Sequence, residues 1–190
     1  SLEKLSFLPY SITTLARICK EFSYSLVMAT NQDGLGTSSF PEETFYPTHN
    51  KMLDILRGED IEFEDILIDR SFAREQKPTR KPGIGLFTHY LSGTEQHRID
   101  WEHSFVIGDR ITDAQLAQNL GAKAILLQSS ASKLHTTSRT DTAGLPIALE
   151  AASWLDIYDF LLVQERPQRK ASVHRKTNET DITIELNLDG

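Results

Sequence analysis

Three short stretches carry side chains able to do chemistry, and they occur in order along the chain. Thr30-Asn31-Gln32-Asp33-Gly34 offers a hydroxyl, an amide and a glycine-bearing turn. A hydroxyl and backbone N–H groups in such a turn can hold a phosphoryl oxygen. Thr79-Arg80-Lys81-Pro82 offers an ammonium that would neutralise charge beside a metal-bound phosphate in the transition state. Gly108-Asp109-Arg110-Ile111-Thr112-Asp113 sets two carboxylates four residues apart. Oxygen donors of this kind suit a hard cation such as Mg2+, and Asp113 falls where a helix N-terminus favours negative charge. Singly, each stretch has a plainer reading. Asp109 can cap a turn while Asp113 complements a helix dipole, TNQDG can be a turn alone, and TRKP can be a solvated basic loop. Together they describe a phosphate-holding hydroxyl, a lysine and a paired carboxylate.

Each stretch needs an element to deliver it. Ser25 to Ala29 reads as a short buried strand running into residues 30–36. Asp65 to Asp69 is the next strand, followed by a loop over 70–83 with two prolines and five basic residues. Ser104 to Ile107 delivers the paired carboxylates, and Ala124 to Leu127 is a fourth strand. The spacing predicts helices over 12–22, from Pro41 to a C-cap at Gly58, over 84–91 with Ile84, Phe87 and Leu91 and also Tyr90 on the packed side, and over 112–120 with Gly121 as terminator. A further helix follows the capping-box-like Ser153-Trp154-Leu155-Asp156. Strands alternating with helices predict an α/β fold with a parallel sheet covered on both faces. Its reactive loops belong at the carboxyl ends of the strands.

Residues 128–144, rich in Ser and Thr, read as a surface loop. From Ala171 the pattern changes: Ile182, Ile184, Leu186 and Leu188 alternate with polar residues, as in a half-exposed strand of an antiparallel sheet. The charged run Glu165 to Lys170 reads as a linker. The expected domains are therefore residues 1–166 and the beginning of another over 167–190.

Composition narrows the class. With 190 residues, 39% hydrophobic and 25% charged, the chain is ordinary globular material rather than a disordered one. Its one cysteine, Cys19, excludes an intrachain disulfide framework and a Cys-only zinc site. No run of ~18 apolar residues suggests a membrane span, and no signal-peptide pattern opens the chain, so a cytoplasmic location is expected. The net charge of -7 argues against a nucleic-acid partner. His49, His89, His97, His103, His135 and His174 form no evident ligand set, and Trp101 and Trp154 read as packing residues.

The segments VMATNQDGLGTSSFPEETF, ILIDRS, TRKP and SFVIGDRITDAQLAQNLGAKAI resemble the haloacid-dehalogenase superfamily of phosphatases. More narrowly, they resemble the phosphatase half of the bifunctional histidine-biosynthesis enzymes, and RKTNETDITIELNLDG resembles the opening of the dehydratase half. The resemblance covers essentially the whole chain. It implies a three-layer Rossmann-like fold and the start of an α+β dehydratase domain. It implies Mg2+-dependent hydrolysis of L-histidinol phosphate to L-histidinol, joined in the complete protein to dehydration of imidazoleglycerol phosphate. By the same resemblance Thr30 binds the transferring phosphoryl group, Asn31 lines that pocket and Lys81 stabilises the phosphorylated intermediate. Asp109 ligates Mg2+, Asp113 supports either that metal or the lysine, Arg80 reaches substrate, and Glu179 is a substrate-side or metal-side glutamate of the dehydratase.

Two departures from the pattern matter. The superfamily's aspartate nucleophile sits in a DxDGT motif on a first strand, and no DxDGT occurs here. That strand is expected to be central, between the SLVMA and SFVI strands, so the chain is read as truncated at both ends and without phosphatase turnover of its own. Many relatives also carry a Cys/His zinc loop before the lysine motif, whereas Asp69 to Thr79 holds no Cys or His. No structural zinc is expected there, and Mn2+ is expected only in a complete dehydratase domain. Expected partners are small phosphorylated imidazole metabolites, with no nucleic acid or membrane, and oligomers form only through the complete dehydratase domain. The rival readings are a sugar-phosphate phosphatase of the same superfamily and a degenerate, non-catalytic phosphate- or metal-binding module.

Overall fold

The computed structural model describes residues 2–93, 99–128, 142–165, 170–177 and 179–187. It divides into two compact units, Ser1–Tyr158 and Asp159–Gly190.

The first unit is a Rossmann-like α/β arrangement. Helix α1 (Ser11–Glu21) leads to β1 (Val27–Asn31), α2 (Glu42–Arg57) and β2 (Asp65–Asp69). A short helical stretch ends in α3 (Thr88–Leu91), then come β3 (Phe105–Gly108), α4 (Ile111–Leu120), β4 (Lys123–Leu127), β5 (Ile147–Ala151) and α5 (Trp154–Glu165), which runs past the unit boundary. All strand pairings in this unit are parallel. β1 pairs with β2, placing Asn31 opposite Asp69, and β3, β4 and β5 form a second sheet in that order. Among the described residues no strand pairs with the remaining edge of β1 or of β3.

One apolar cluster among the described residues serves both sheets. Its buried members are Phe87 and Tyr90 around α3, Ala114, Leu116, Ala117 and Leu120 of α4, and Ala122 and Ala124 at β4. Val27, Ala29 and Leu67 from the first sheet and Val106, Leu126 and Ile147 from the second pack against it. The helices form where apolar residues recur at helical spacing, and α4 ends at Gly121, whose φ of 76° closes a left-handed C-cap.

Several boundaries differ from the sequence reading for physical reasons. β1 starts two residues late, so Thr30 and Asn31 are the end of the strand rather than loop. Gly58 keeps a right-handed conformation after α2, and the left-handed turn falls on Asp60. The 84–91 helix divides into a tight turn over Gly85–Phe87 and α3, which buries Tyr90 and leaves Leu91 exposed. β5 was not anticipated in Ile147–Ala151. The Asp156 carboxylate accepts from the Ala152 and Ser153 N–H groups, both at 2.9 Å, as the capping-box pattern requires. Most of the Ser/Thr-rich 128–144 stretch and of the linker lies outside the described residues.

The second unit contains an antiparallel hairpin of β6 (Lys170–Lys176) and β7 (Asp181–Asn187), with Val173 opposite Ile184. The alternating run is thus a strand, and its partner is the more polar segment before it.

Candidate active site

Strand polarity brings the chemical residues to one end of each sheet. Thr30 and Asn31 close β1, Asp69 closes β2, and Gly108 closes β3 just before Asp109. Lys81 links β1 to the first turn of α4 at that end. Its Nζ donates to the Ala29 carbonyl at 2.9 Å and to Asp113 Oδ1 at 2.8 Å. Two of the three ammonium hydrogens are used, leaving one donor.

Asp113 sits in the first turn of α4 and is 5% exposed. Its Oδ2 accepts the Arg110 N–H at 3.2 Å, so one carboxylate caps the helix and holds the lysine. Gly108 permits this approach, because a Cβ there would lie 2.2 Å from Asp113 Oδ2. Of the two roles anticipated for Asp113, metal or lysine support, its visible partner is the lysine.

Asn31 turns its amide on the main chain of Lys81. Nδ2 donates to the Lys81 carbonyl at 3.1 Å, and Oδ1 accepts the Lys81 N–H at 3.0 Å. Both of these amide bonds go to the Lys81 main chain. Thr30 Oγ1 accepts from Gln32 Nε2 at 2.9 Å and keeps its own hydrogen to donate. Arg80 is committed to protein partners: Nη1 reaches Asp33 Oδ1 and the Ser71 carbonyl, both at 2.7 Å, and Nη2 reaches Asp33 Oδ2 at 3.3 Å.

Asp69, Ser71, Thr79 and Asp33 were not singled out in the sequence. Asp69 is buried, and burial alone would push its carboxyl up. Hydrogen bonds from Ser71 and Thr79 and the charge of Arg80 outweigh that and hold it below the usual carboxylate range. These partners close the 70–79 loop, the interval that holds no Cys or His.

Asp109 is exposed and, among the described residues, makes no hydrogen bond or ion pair. No three His, Cys, Asp or Glu side chains among the described residues gather as a metal-holding group. One unengaged carboxylate beside a lysine-held one fits Mg2+, which keeps waters and substrate oxygens and takes only one or two protein carboxylates. It does not fit a closed tetrahedral zinc site.

Glu179 lies in the second unit, exposed in the turn between β6 and β7. The described histidines are scattered. His49 stacks on Phe45, His89 faces Asp65, His103 faces Asp100 and His174 faces Asp181. His97 and His135 lie outside the described residues.

Residues 78–148 match the HAD-hydrolase-like family model. Over its full length the chain is 47% identical to the histidine biosynthesis bifunctional protein HisB of Spirosoma linguale, covering 49% of that protein. It is 49% identical to the HisB of Bacteroides fragilis, covering 48%. The chain thus spans about half the length of the curated relatives it matches. Among solved structures, the D,D-heptose 1.7-bisphosphate phosphatase of B. bronchiseptica, complexed with magnesium and phosphate, superposes with a TM-score of 0.71 at 23% identity, covering 87% of this chain and 88% of that one. A HAD-like phosphatase from Mesorhizobium loti superposes at 0.64 with 17% identity, covering 89% and 80%. At these identities the likeness is one of fold.

Proposed function

The chain is homologous over its whole length to about half of the bifunctional histidine-biosynthesis proteins and has the haloacid-dehalogenase-like fold, and from that premise we propose that it forms the phosphoryl-binding part of a histidinol-phosphate phosphatase. The single observation that carries the reading is Lys81, held by Ala29 and Asp113 between two parallel sheets with Thr30 and Asp109 at the same strand ends.

In this reading the free hydrogen of Lys81 and the hydroxyl of Thr30 donate to the equatorial oxygens of the phosphoryl group, where charge is spread during transfer. Asn31 holds the Lys81 backbone, and Asp113 keeps the ammonium aimed. Asp109 would hold Mg2+, which when bound neutralises phosphoryl charge. The unpaired edges of β1 and β3 receive one further strand, and that strand brings the aspartate nucleophile. Residues 167–190, which include the β6–β7 hairpin, begin the dehydratase half, where Glu179 faces substrate or metal. Dehydration of imidazoleglycerol phosphate, Mn2+ and oligomer formation belong to that half.

Calorimetric titration of the chain with L-histidinol phosphate and a sugar phosphate, each with Mg2+, tests the substrate class. Tighter binding of histidinol phosphate by about tenfold or more, roughly 1.4 kcal/mol, is expected. Preference for the sugar phosphate would replace this reading with the other phosphatase.

A further inference from the structure

We propose that Asp69 is a positioning residue for Lys81, acting through Thr79 and Ser71 as the closure of the 70–79 loop. Asp69 is the last residue of β2, and its own carbonyl accepts the Gln32 N–H at 2.7 Å, so its backbone is fixed by the sheet edge. Its side chain is buried, with the residue 3% exposed. A carboxylate in that setting is costly unless its oxygens are met. Here Oδ1 accepts the Ser71 N–H at 2.9 Å and the Ser71 hydroxyl at 2.5 Å, and Oδ2 accepts the Thr79 hydroxyl at 2.6 Å.

The donors come from opposite ends of one loop. Ser71 belongs to the chain leaving β2, and Thr79 to the chain coming back. Arg80 ties the same neck a second time through the Ser71 carbonyl. Only Arg80 separates Thr79 from Lys81. Across the β1–β2 ladder, Asn31 stands opposite Asp69 and grips the Lys81 main chain. One register pair therefore holds the returning segment at two points, Thr79 and Lys81. Without the Asp69 closure, the Lys81 segment would rest on the Asn31 bonds, on the Arg80 bonds to Asp33 and the Ser71 carbonyl, and on Asn119 Nδ2 donating to the Pro82 carbonyl at 2.9 Å, none of which engages Thr79. The placement of Lys81 stands on its geometry; its consequence for phosphate rests on the function proposed above.

Site-resolved reductive methylation read by mass spectrometry tests this. Thr79→Val keeps the side-chain shape and removes the donor. Lys81 should react about tenfold faster in that variant, the factor one hydrogen bond to a charged acceptor supplies. Exposed Lys51 should stay within about twofold of the parent, as expected for a site without shared partners. Thr79→Ser should restore the parent rate at Lys81. An unchanged Lys81 rate in Thr79→Val, an equal rise at Lys51, or no recovery in Thr79→Ser would overturn the proposal. Should Thr79→Val fail to fold, amide exchange in the unaltered chain decides. Slow exchange of the Ser71 N–H, which lies in neither helix nor strand, is expected; exchange at the rate of an open loop would overturn it. Inorganic phosphate with Mg2+ should also bind more weakly to Thr79→Val and recover in Thr79→Ser. Absence of phosphate binding in the parent would count against the phosphatase reading, while the labelling result still decides the role of Asp69.

Discussion

Asn31 and Asp69 both direct side-chain hydrogen bonds to the chain around Lys81. Asn31 makes two bonds to one neighbour's backbone, so Asn31→Ala leaves a half-buried N–H and C=O of Lys81 without those partners. A loss of about 1–3 kcal/mol in unfolding free energy is expected, measured by urea denaturation. For Asp69 the sign of the pH effect follows from its depressed folded value. Its contribution is fully present well above the unfolded value of about 3.9 and is lost as pH falls through the lower folded value. Asp69→Asn should therefore be less stable than the parent at neutral pH, and the gap should shrink below about pH 5. Urea midpoints at a series of pH values give the comparison, and a gap independent of pH would contradict the assignment. Lys81 and Asp113 were legible as residues from their types and spacing. The Asp69 cluster was not, because its partners Ser71 and Thr79 are joined only once the loop closes.

At the scale of elements, the joint between β3 and α4 decides whether the lysine has its carboxylate partner. Gly108 lets Asp113 lie against the strand end, and any Cβ would occupy the carboxylate's place. Gly108→Ala should displace Asp113 from Lys81 and weaken Mg2+-dependent phosphate binding by more than about tenfold, while the clash itself costs about 1–3 kcal/mol of stability. Unchanged phosphate affinity in a folded Gly108→Ala would argue that the Asp113 contact is idle. The elements themselves were largely readable, because glycines, prolines and helical spacing punctuate them. Ile147–Ala151 escaped because it is short, carries Glu150 and follows a Ser/Thr-rich stretch. Lys170–Lys176 escaped because its charged residues hide a strand whose existence depends on pairing with β7. Leu91 turns out of the core while Tyr90 stays in it, because the segment tightens into a 3-10 turn at Gly85–Phe87, shifting the phase of the buried face.

At the scale of the whole molecule the two units differ in what supports them. The first has a continuous buried cluster. The hairpin of the second exposes Val173, Ile182, Ile184 and Leu186, each by more than half, and a two-stranded hairpin is marginal without a packed face. Limited trypsinolysis should therefore cut at Arg175 or Lys176 well before Lys123, which lies in a strand paired on both sides. The α/β class and the parallel pairing were legible from the alternation of elements. The division of the parallel strands into two sheets was expected only through the family resemblance, since composition and periodicity do not reveal which edges are left open. Binding of phosphate across that division tests the account most directly. Calorimetry of the chain with inorganic phosphate should give saturable, one-site binding that requires Mg2+ and is weakened more than about tenfold by Lys81→Met, the loss of a charge-assisted hydrogen bond. Equal phosphate binding by the parent and Lys81→Met, or none by the parent, would contradict it.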